Sequence, residues 1–430
     1  MAARSTAPGQ GAIAITRLSG DKCLDVIREC LTEFPIEIKP RHAYLASVCD
    51  EAGEFDQVIF IYYQAPNSYT CEDMVEVHSH GGDYISQRVL DVLCKKGARP
   101  AQPGEFTFRA FMNGKLDLPQ AEAVSEIISS ESKHGNRNAL SQLKGGLSEE
   151  VRKFREELIS VLAELELELE FPDDEPYDAD YPGWLEKLLK VKTGIEEIVR
   201  LGNSGRAIRE GFRVVIAGPP NSGKSTLLNA LLGENRAIVH PEAGTTRDIL
   251  RESVEIGGIR VWLSDTAGLR EIGDDVESEG VERARREMES ADLIVYLFDL
   301  GKQMPQAKND KRTVTVGNKI DLYPDSIKEC DLMISALKRT GIDKLKQSIT
   351  EKALGAGIEG AVIANERHLD AFRKATGNLQ QALELVILEG ETELIALETR
   401  EAARLLGEII GEGVTEEVLE NIFSRFCIGK

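Results

Sequence analysis

Phe212–Ser225 reads FRVVIAGPPNSGKS, and this stretch decides the fold of the segment around it. Phe212–Ala217 is apolar and rich in β-branched residues, the pattern of a parallel strand buried on both faces. Gly218 to Ser225 then spells G-x-x-x-x-G-K-S. The glycines let the backbone fold around phosphate oxygens with its N–H groups pointing inward. Lys224 neutralises charge on the terminal phosphates, and the Ser225 hydroxyl is offered to magnesium. Asn221, Ser222, Gly223 and Thr226 belong to the same loop, and a helix starting near Thr226 turns its positive end toward an anion. Strand, loop and helix in this order predict a nucleoside-triphosphate site.

Further elements follow downstream in the order such a site requires. Thr245-Thr246 lies in AGTTRD, where a threonine reaches magnesium and senses the terminal phosphate. Ile259–Ser264 reads as a strand ending in Asp265-Thr266-Ala267-Gly268. A carboxylate there holds magnesium through water, and the glycine lets the backbone approach the terminal phosphate. A third strand spans Asp292–Phe298, and Val314–Gly317 leads into Asn318-Lys319-Ile320-Asp321. This N-K-x-D selects guanine, because Asp321 accepts from the N1–H and amino group that adenine lacks. A fifth strand, Leu332–Ile334, ends in Ser335-Ala336-Leu337, whose backbone donates to the guanine oxygen. The set predicts GTP as the ligand. Only Gly301–Lys311 joins the third and fourth strands, so a crossover helix there should be short.

The hydrolytic group is not set by this spacing. Many GTPases place a water-orienting glutamine just after D-x-x-G. Here that position is Leu269, which cannot orient water. Glu271, Asp274, Asp275, Glu277 and Glu279 follow, and spacing does not choose among them. Positive charge could come from Arg247, from Arg270, or from a monovalent cation held by the Asn221 amide oxygen.

The 430 residues allow two to four domains, each with its own core. Up to about Asp117 the chain mixes β-like runs (11–18 and 57–63) with a helical stretch at 85–95, an α+β pattern. From Leu147 to Phe171 apolar residues recur at helical spacing. Residues 147–175 hold eleven acids against three bases, read as a solvated helix face running into an acidic loop through Pro182. His368–Leu388 and Thr392–Ile410 are again helical. Helices on both sides of the α/β segment predict one helical domain with the α/β domain inserted. The net charge of −21 repels nucleic acid over most of the surface, so RNA contact needs a local basic patch or a partner. Seven cysteines without a C-x-x-C pair argue against a zinc site or disulfide framework. No apolar run is long enough to cross a bilayer, and MAARSTAPGQ has no signal core; the expectation is a cytoplasmic protein without a membrane partner.

The chain resembles the MnmE (TrmE) family of tRNA-modification GTPases. The resemblance rests on GxPNSGKS, AGTTRD and DTAGLR, and more specifically on APNSYTCED (65–73), HSHGG (78–82), RPAQPGEFTFRAFMNGKLDLPQAEAV (99–124) and FSRFCIGK (423–430). It implies a multidomain fold. An α+β folate-binding domain (1–117) forms a homodimer, an all-α domain (118–210 with 355–430) is split in sequence, and an α/β Ras-like GTPase domain (211–354) is inserted in it. It implies a potassium-activated GTP hydrolase that works with the flavoprotein MnmG (GidA) in a heterotetramer. The pair adds an aminomethyl or carboxymethylaminomethyl group to the wobble uridine of certain tRNAs, using a 5-formyl- or 5,10-methylene-tetrahydrofolate unit. By motif, Glu277 matches the water-orienting glutamate, and Ser225 and Thr246 the magnesium ligands. Asn221, His240, Glu242 and Thr245 match the potassium segment. Arg17, Glu76, Lys115 and Lys430 match the folate pocket. Cys71 stands where that family has glycine. His78 and His80 read as structural histidines, and Cys427 as a packed one. The competing reading is a ribosome-associated regulatory GTPase without modification activity; it has no need of the folate-like domain or the FCIGK tail.

Overall fold

The computed structural model describes residues 1–170, 180–233, 252–265, 286–302, 310–326, 329–354 and 365–429, leaving aside the side chains of Glu170, Asn203, Ser204 and Asp265. The acidic loop at 171–179 and the middle of the 301–311 connection lie outside these residues. The chain divides into two compact units, one formed by 1–128, 141–191 and 374–430, the other by 129–140 and 192–373.

The first unit opens on a five-stranded antiparallel sheet. Its strands are β1 (Ala2–Arg4), β2 (Ile13–Ser19), β3 (Ala43–Asp50), β4 (Gly53–Tyr63) and β5 (Met74–His80), in the order β1-β2-β5-β4-β3. Alternation in β4 shows how the sheet gains two faces. Val58, Phe60 and Tyr62 are buried with Val75, Val77, Val89, Val92 and Leu93, beneath the helix Asp83–Lys95. The intervening positions face the other side, where the register lines up Leu45, Ile59, His78 and Ile15. Ile13 (61% exposed), Leu45 (64%) and Ile59 (41%) leave this face apolar and open. The edge strand β3 bulges between Val48 and Cys49.

The helix Gly146–Glu170 in the same unit buries Leu147, Val151, Leu158, Val161 and Leu165, which fall at helical spacing. It packs against Thr392–Ile410, whose Ile395, Thr399, Ala402, Leu406 and Ile409 are buried. Ion pairs Arg155–Glu412 (2.6 Å) and Arg400–Glu166 (2.9 Å) join the ends of this pair. Trp184 is fully buried and donates from Nε1 to Glu164 at 3.1 Å. The helix Tyr181–Ser204 starts one residue before Pro182, so the expected loop ends earlier; a proline in the first turn loses no helical hydrogen bond.

The C-terminal segment closes this unit. Phe423 and Phe426 pack with Leu118, Ala121, Phe108 and Phe111. A Cβ on Gly104 would meet Phe423 O at 2.5 Å, so only glycine admits this approach. Gly429 accepts from Ser5 Oγ at 3.0 Å. Cys427, expected to be packed, is instead exposed; its neighbours Phe423 and Phe426 take the buried positions of the turn.

An ion ladder ties the helix Glu105–Met112 to the sheet. Glu105 accepts from Arg99 (2.8 Å) and Arg109 (3.0 Å), and Arg109 also reaches Glu72 (2.7 Å). Burial pushes the Glu105 carboxyl up, but the two guanidinium groups and the Gln102 N–H outweigh it and hold it at about 2. A depressed carboxylate stabilises the fold above its ordinary value of 4.5, and that contribution is lost as pH falls toward 2. Its size is on the order of 2–3 kcal/mol, since Arg99 is solvent-screened. Urea melts of wild type and Glu105→Gln should therefore differ at pH 6, with the gap narrowing below pH 4.5 and closing only near pH 2. A gap independent of pH would remove the ladder as the cause.

The second unit holds a six-stranded sheet in the order β11-β10-β9-β6-β8-β7. Its strands are β6 (Phe212–Ala217), β7 (Glu252–Ile256), β8 (Ile259–Asp265), β9 (Leu293–Asp299), β10 (Thr313–Asn318) and β11 (Leu332–Met333). All pairings are parallel except β7 with β8. Val214, Ile216, Val261, Leu263, Val295, Leu297, Val314 and Val316 form the core with Leu227, Leu231, Leu345 and Ile349 from flanking helices. The turn of the β7–β8 hairpin is held from outside. His134 N–H donates to Gly258 O at 3.0 Å, and Arg260 lies 3.8 Å over the Trp262 ring while paired with Glu131.

Candidate functional site

The strand order reverses at β6, which has β8 on one side and β9 on the other. A switch point of this kind opens a crevice at the carboxyl ends of the strands. Gly218–Gly223 occupies it. Gly218 has φ 144, and a Cβ there would lie 2.0 Å from Leu297 O, so the backbone passes directly against β9. Asn221 (φ 62) and Gly223 (φ 97) take left-handed conformations that bend the loop before the helix Lys224–Leu232. Lys224 is buried, and its Nζ donates to Gly218 O (3.2 Å) and Pro219 O (3.0 Å). Ser222 is 1% exposed, and its Oγ has no hydrogen-bond partner among the described residues. A buried hydroxyl left this way fits an incoming oxygen-rich group. Asn221, Ser225 and Thr226 are exposed along the same loop.

Asn318 links three parts of the site. Its Nδ2 donates to Ser222 O (2.8 Å), and its Oδ1 accepts from Lys319 N (2.8 Å) and Ala336 N (3.0 Å). One buried amide thus joins the phosphate loop, the N-K-x-D turn and the Ser335–Leu337 loop. A Cβ on Gly223 would fall 2.4 Å from this amide, which fixes glycine there. Lys319 adopts φ 70, a left-handed conformation uncommon outside functional turns, and its Nζ pairs with Asp299 at 2.6 Å. Burial raises the Asp299 carboxyl, but the Lys319 ammonium and the Gly301 N–H hold it below the usual range. Asp321 and Leu337 are exposed at the rim. The Asp299–Lys319 pair was not anticipated; the aspartate closing β9 was its only signal.

Asp265 ends β8 opposite Ile216, two residues before the phosphate loop. His240, Glu242, Thr245, Thr246, Thr266, Ala267, Gly268 and Glu277, with Arg247 and Arg270, lie outside the described residues.

A second constellation sits on the open face of the N-terminal sheet. Arg17 and Glu76 are cross-strand partners, with Arg17 Nε donating to Glu76 Oε1 at 2.9 Å. Tyr63 OH donates to Glu76 Oε2 at 3.2 Å, and His78 Nε2 lies 3.5 Å from the same oxygen. The Tyr69 ring lies between two cations, 5.5 Å from Arg17 and 5.5 Å from Lys115 Nζ. Lys115 also donates to Ser68 O, and Tyr69 OH shares a hydrogen bond with Thr107 at 2.9 Å. Burial raises both tyrosine hydroxyls, and for Tyr63 the nearby Glu76 adds to it. Ser68 Oγ is buried without a partner among the described residues, which fits a polar heterocycle reaching this face. The structure brings Arg17, Glu76 and Lys115 together; Lys430 lies outside the described residues, and Gly429 is placed beside Arg4 and Ser5. Tyr63 and Tyr69 were missed, since an aromatic residue in a β-rich stretch carries no signal of its own. His78 and His80 are strand residues, and His80 Nδ1 bonds Asp56 at 2.6 Å. Cys71 takes φ 61, the conformation that favours a glycine.

Comparison with known proteins bears on both constellations. A family profile described as "MnmE helical domain" matches residues 118–427, and one described as "GTP-binding protein TrmE N-terminus" matches residues 1–115. The chain is 42% identical over 442 residues to the tRNA modification GTPase MnmE of Aquifex aeolicus, covering 99% of this chain and 98% of that protein. It is 40% identical over 454 residues to that of Natranaerobius thermophilus, covering 100% and 99%. Among solved structures, the G domain of the T. maritima FeoB iron transporter matches 33% of this chain and 98% of its own length, at 24% identity and a TM-score of 0.25.

Proposed function

The chain belongs to the MnmE family of tRNA modification GTPases, and from that premise we propose a potassium-activated GTP hydrolase that works with a tetrahydrofolate and a flavoprotein. The fold is multidomain, with a TrmE N-terminal domain, a helical domain and a P-loop GTPase, and the protein is a GTP hydrolase acting in tRNA modification. The potassium, folate, dimer and MnmG assignments are the proposal, as are the residue roles and the domain limits at 117, 210 and 354.

The observation that carries the reading is the Asn318 junction. It holds the phosphate loop and the guanine-reading turns in one frame, so a guanine nucleotide finds its two ends pre-spaced. In this reading the backbone N–H groups of 221–226 hold the phosphates, with Lys224 as their counter-charge. Ser225, Thr246 and the Asp265 carboxylate would hold magnesium, which when bound supplies positive charge at the phosphates. Asp321 reads the guanine edge, with the backbone of 335–337 beside it. Glu277 orients the attacking water, the role that Leu269 cannot fill. Asn221, His240, Glu242 and Thr245 would hold potassium, which when bound supplies positive charge at the phosphates. On the N-terminal face Arg17, Glu76, Lys115 and Lys430 would hold the folate, which when bound supplies the one-carbon unit. The exposed Ile13, Leu45 and Ile59 support a homodimer through this domain. MnmG completes a heterotetramer and supplies most of the basic surface that a −21 chain lacks.

The test is steady-state GTP hydrolysis in potassium and in sodium at equal ionic strength, for wild type and Asn221→Ala. Potassium should accelerate wild type tenfold or more, and the variant should lose most of that response. Equal rates in the two cations would end the potassium assignment and favour a regulatory switch, leaving the GTPase standing.

A further inference from the structure

In a chain of net charge −21, a surface that attracts a polyanion has to be local. Most cations on the exposed helix surfaces are neutralised in place: Lys153 by Glu150, Lys190 by Glu157 and Arg404 by Glu401. The loop and helix after β11 differ. Ser335 N–H donates to Thr340 O at 3.0 Å, and Thr340 N–H returns the bond to Ser335 O at 3.1 Å. Ser335 Oγ accepts from Lys338 N at 3.0 Å inside that closed loop. Its tip exposes Leu337, Lys338 and Arg339, with Arg339 at φ 58. The helix Ile342–Leu354 then buries Ile342, Leu345, Ile349 and Ala353, which leaves Lys344 outward and Lys346 half-buried. Lys338, Arg339, Lys344 and Lys346 form no ion pair among the described residues, and Asp343 is the sole acid from 338 to 346.

We propose that Lys338, Arg339 and Lys344 grip the phosphate backbone of the tRNA on which this family acts. The inference rests on tRNA as the family's substrate and not on the potassium or folate assignments. Three outward cations with no ion pair among the described residues, on an otherwise acidic chain, complement a polyanion, and the family's work names which polyanion must be met. The loop is pre-organised, so little entropy is lost when it engages. Its base is anchored by Ala336 N–H to Asn318, so the same frame that reads guanine presents the cations to RNA. Contacts of this type position an RNA without reading its sequence.

The experiment measures binding of a fluorescein-labelled tRNA transcript to the full chain by anisotropy across a salt series. The variant K338E/R339E/K344E is compared with K22E/K39E/K144E, which changes net charge equally at exposed or turn positions elsewhere. GDP affinity, unchanged in both, certifies the fold. The patch variant should bind at least tenfold more weakly, the control within about threefold of wild type. The slope of log affinity against log salt should become shallower by about two for the patch variant. Equal losses in the two variants, no loss in either, or no binding by wild type overturns the proposal; unchanged tRNA affinity would turn the patch toward an acidic protein surface.

Discussion

Lys224→Ala is expected to lower GTP hydrolysis by about 10²–10³-fold, the usual effect of removing one pre-aimed charge from a phosphate site. The ammonium is buried and held by the carbonyls of Gly218 and Pro219, so its position is set before nucleotide arrives. Nothing in the described loop can replace it, because Asn221 and Ser225 carry no charge. Arginine should not rescue, since its planar fork does not fit a space bounded by two carbonyls. Steady-state rates at saturating GTP, with binding of a fluorescent GDP as a check, measure the effect. A rate within tenfold of wild type would remove Lys224 from the machinery.

Asn318→Ala should weaken GDP and GTP by similar factors, about 10²–10³. Three hydrogen bonds converge on this amide, and truncation leaves Ser222 O, Lys319 N–H and Ala336 N–H without their partner. Each such loss costs about 1 kcal/mol or somewhat more, roughly 3–4 kcal/mol together. Asn318→Asp keeps the acceptor for Lys319 and Ala336 but turns a carboxylate oxygen toward Ser222 O, so its affinity should fall between the two. The comparison with Lys224→Ala separates frame from charge, because the lysine variant should favour GDP over GTP relative to wild type. Calorimetric titration with both nucleotides reads this directly. A GDP affinity within threefold of wild type would show that the three segments hold their places without the amide.

The GTP site was legible because its residues act through the backbone near them. Gly218, Gly223 and Asn318 sit where a short sequence sets a short loop, after strands rich in β-branched residues, Phe212–Ala217 and Thr313–Asn318. The long helices were legible for a related reason: Gly146–Glu170 and Thr392–Ile410 bury one face at constant spacing. β5 was hidden because its polar residues are not where water is; Glu76 is 9% exposed and acceptable there through Arg17 and Tyr63. β1 is three residues long and takes its place from pairing with β2, not from a pattern of its own. The helix Lys133–Leu143 carries no acid and few apolar residues, so neither charge nor periodicity marks it. The N-terminal pocket depends on Tyr69 meeting Arg17 and Lys115 from distant points in the chain, a relation that only tertiary structure creates.

The division of the chain also orders its biosynthesis. The first unit draws on 1–128, 141–191 and 374–430, so the nascent chain passes through the entire GTPase sheet before the first unit's last segment leaves the ribosome. At about 5–20 residues per second that interval is about 10–40 s. Leu158, Val161 and Leu165 of the helix Gly146–Glu170 are buried in the finished fold, and the partner helix Thr392–Ile410 that packs on this helix has not yet been made. Through that interval the helix Gly146–Glu170 waits, with part of its apolar face uncovered, for a segment made more than two hundred residues later.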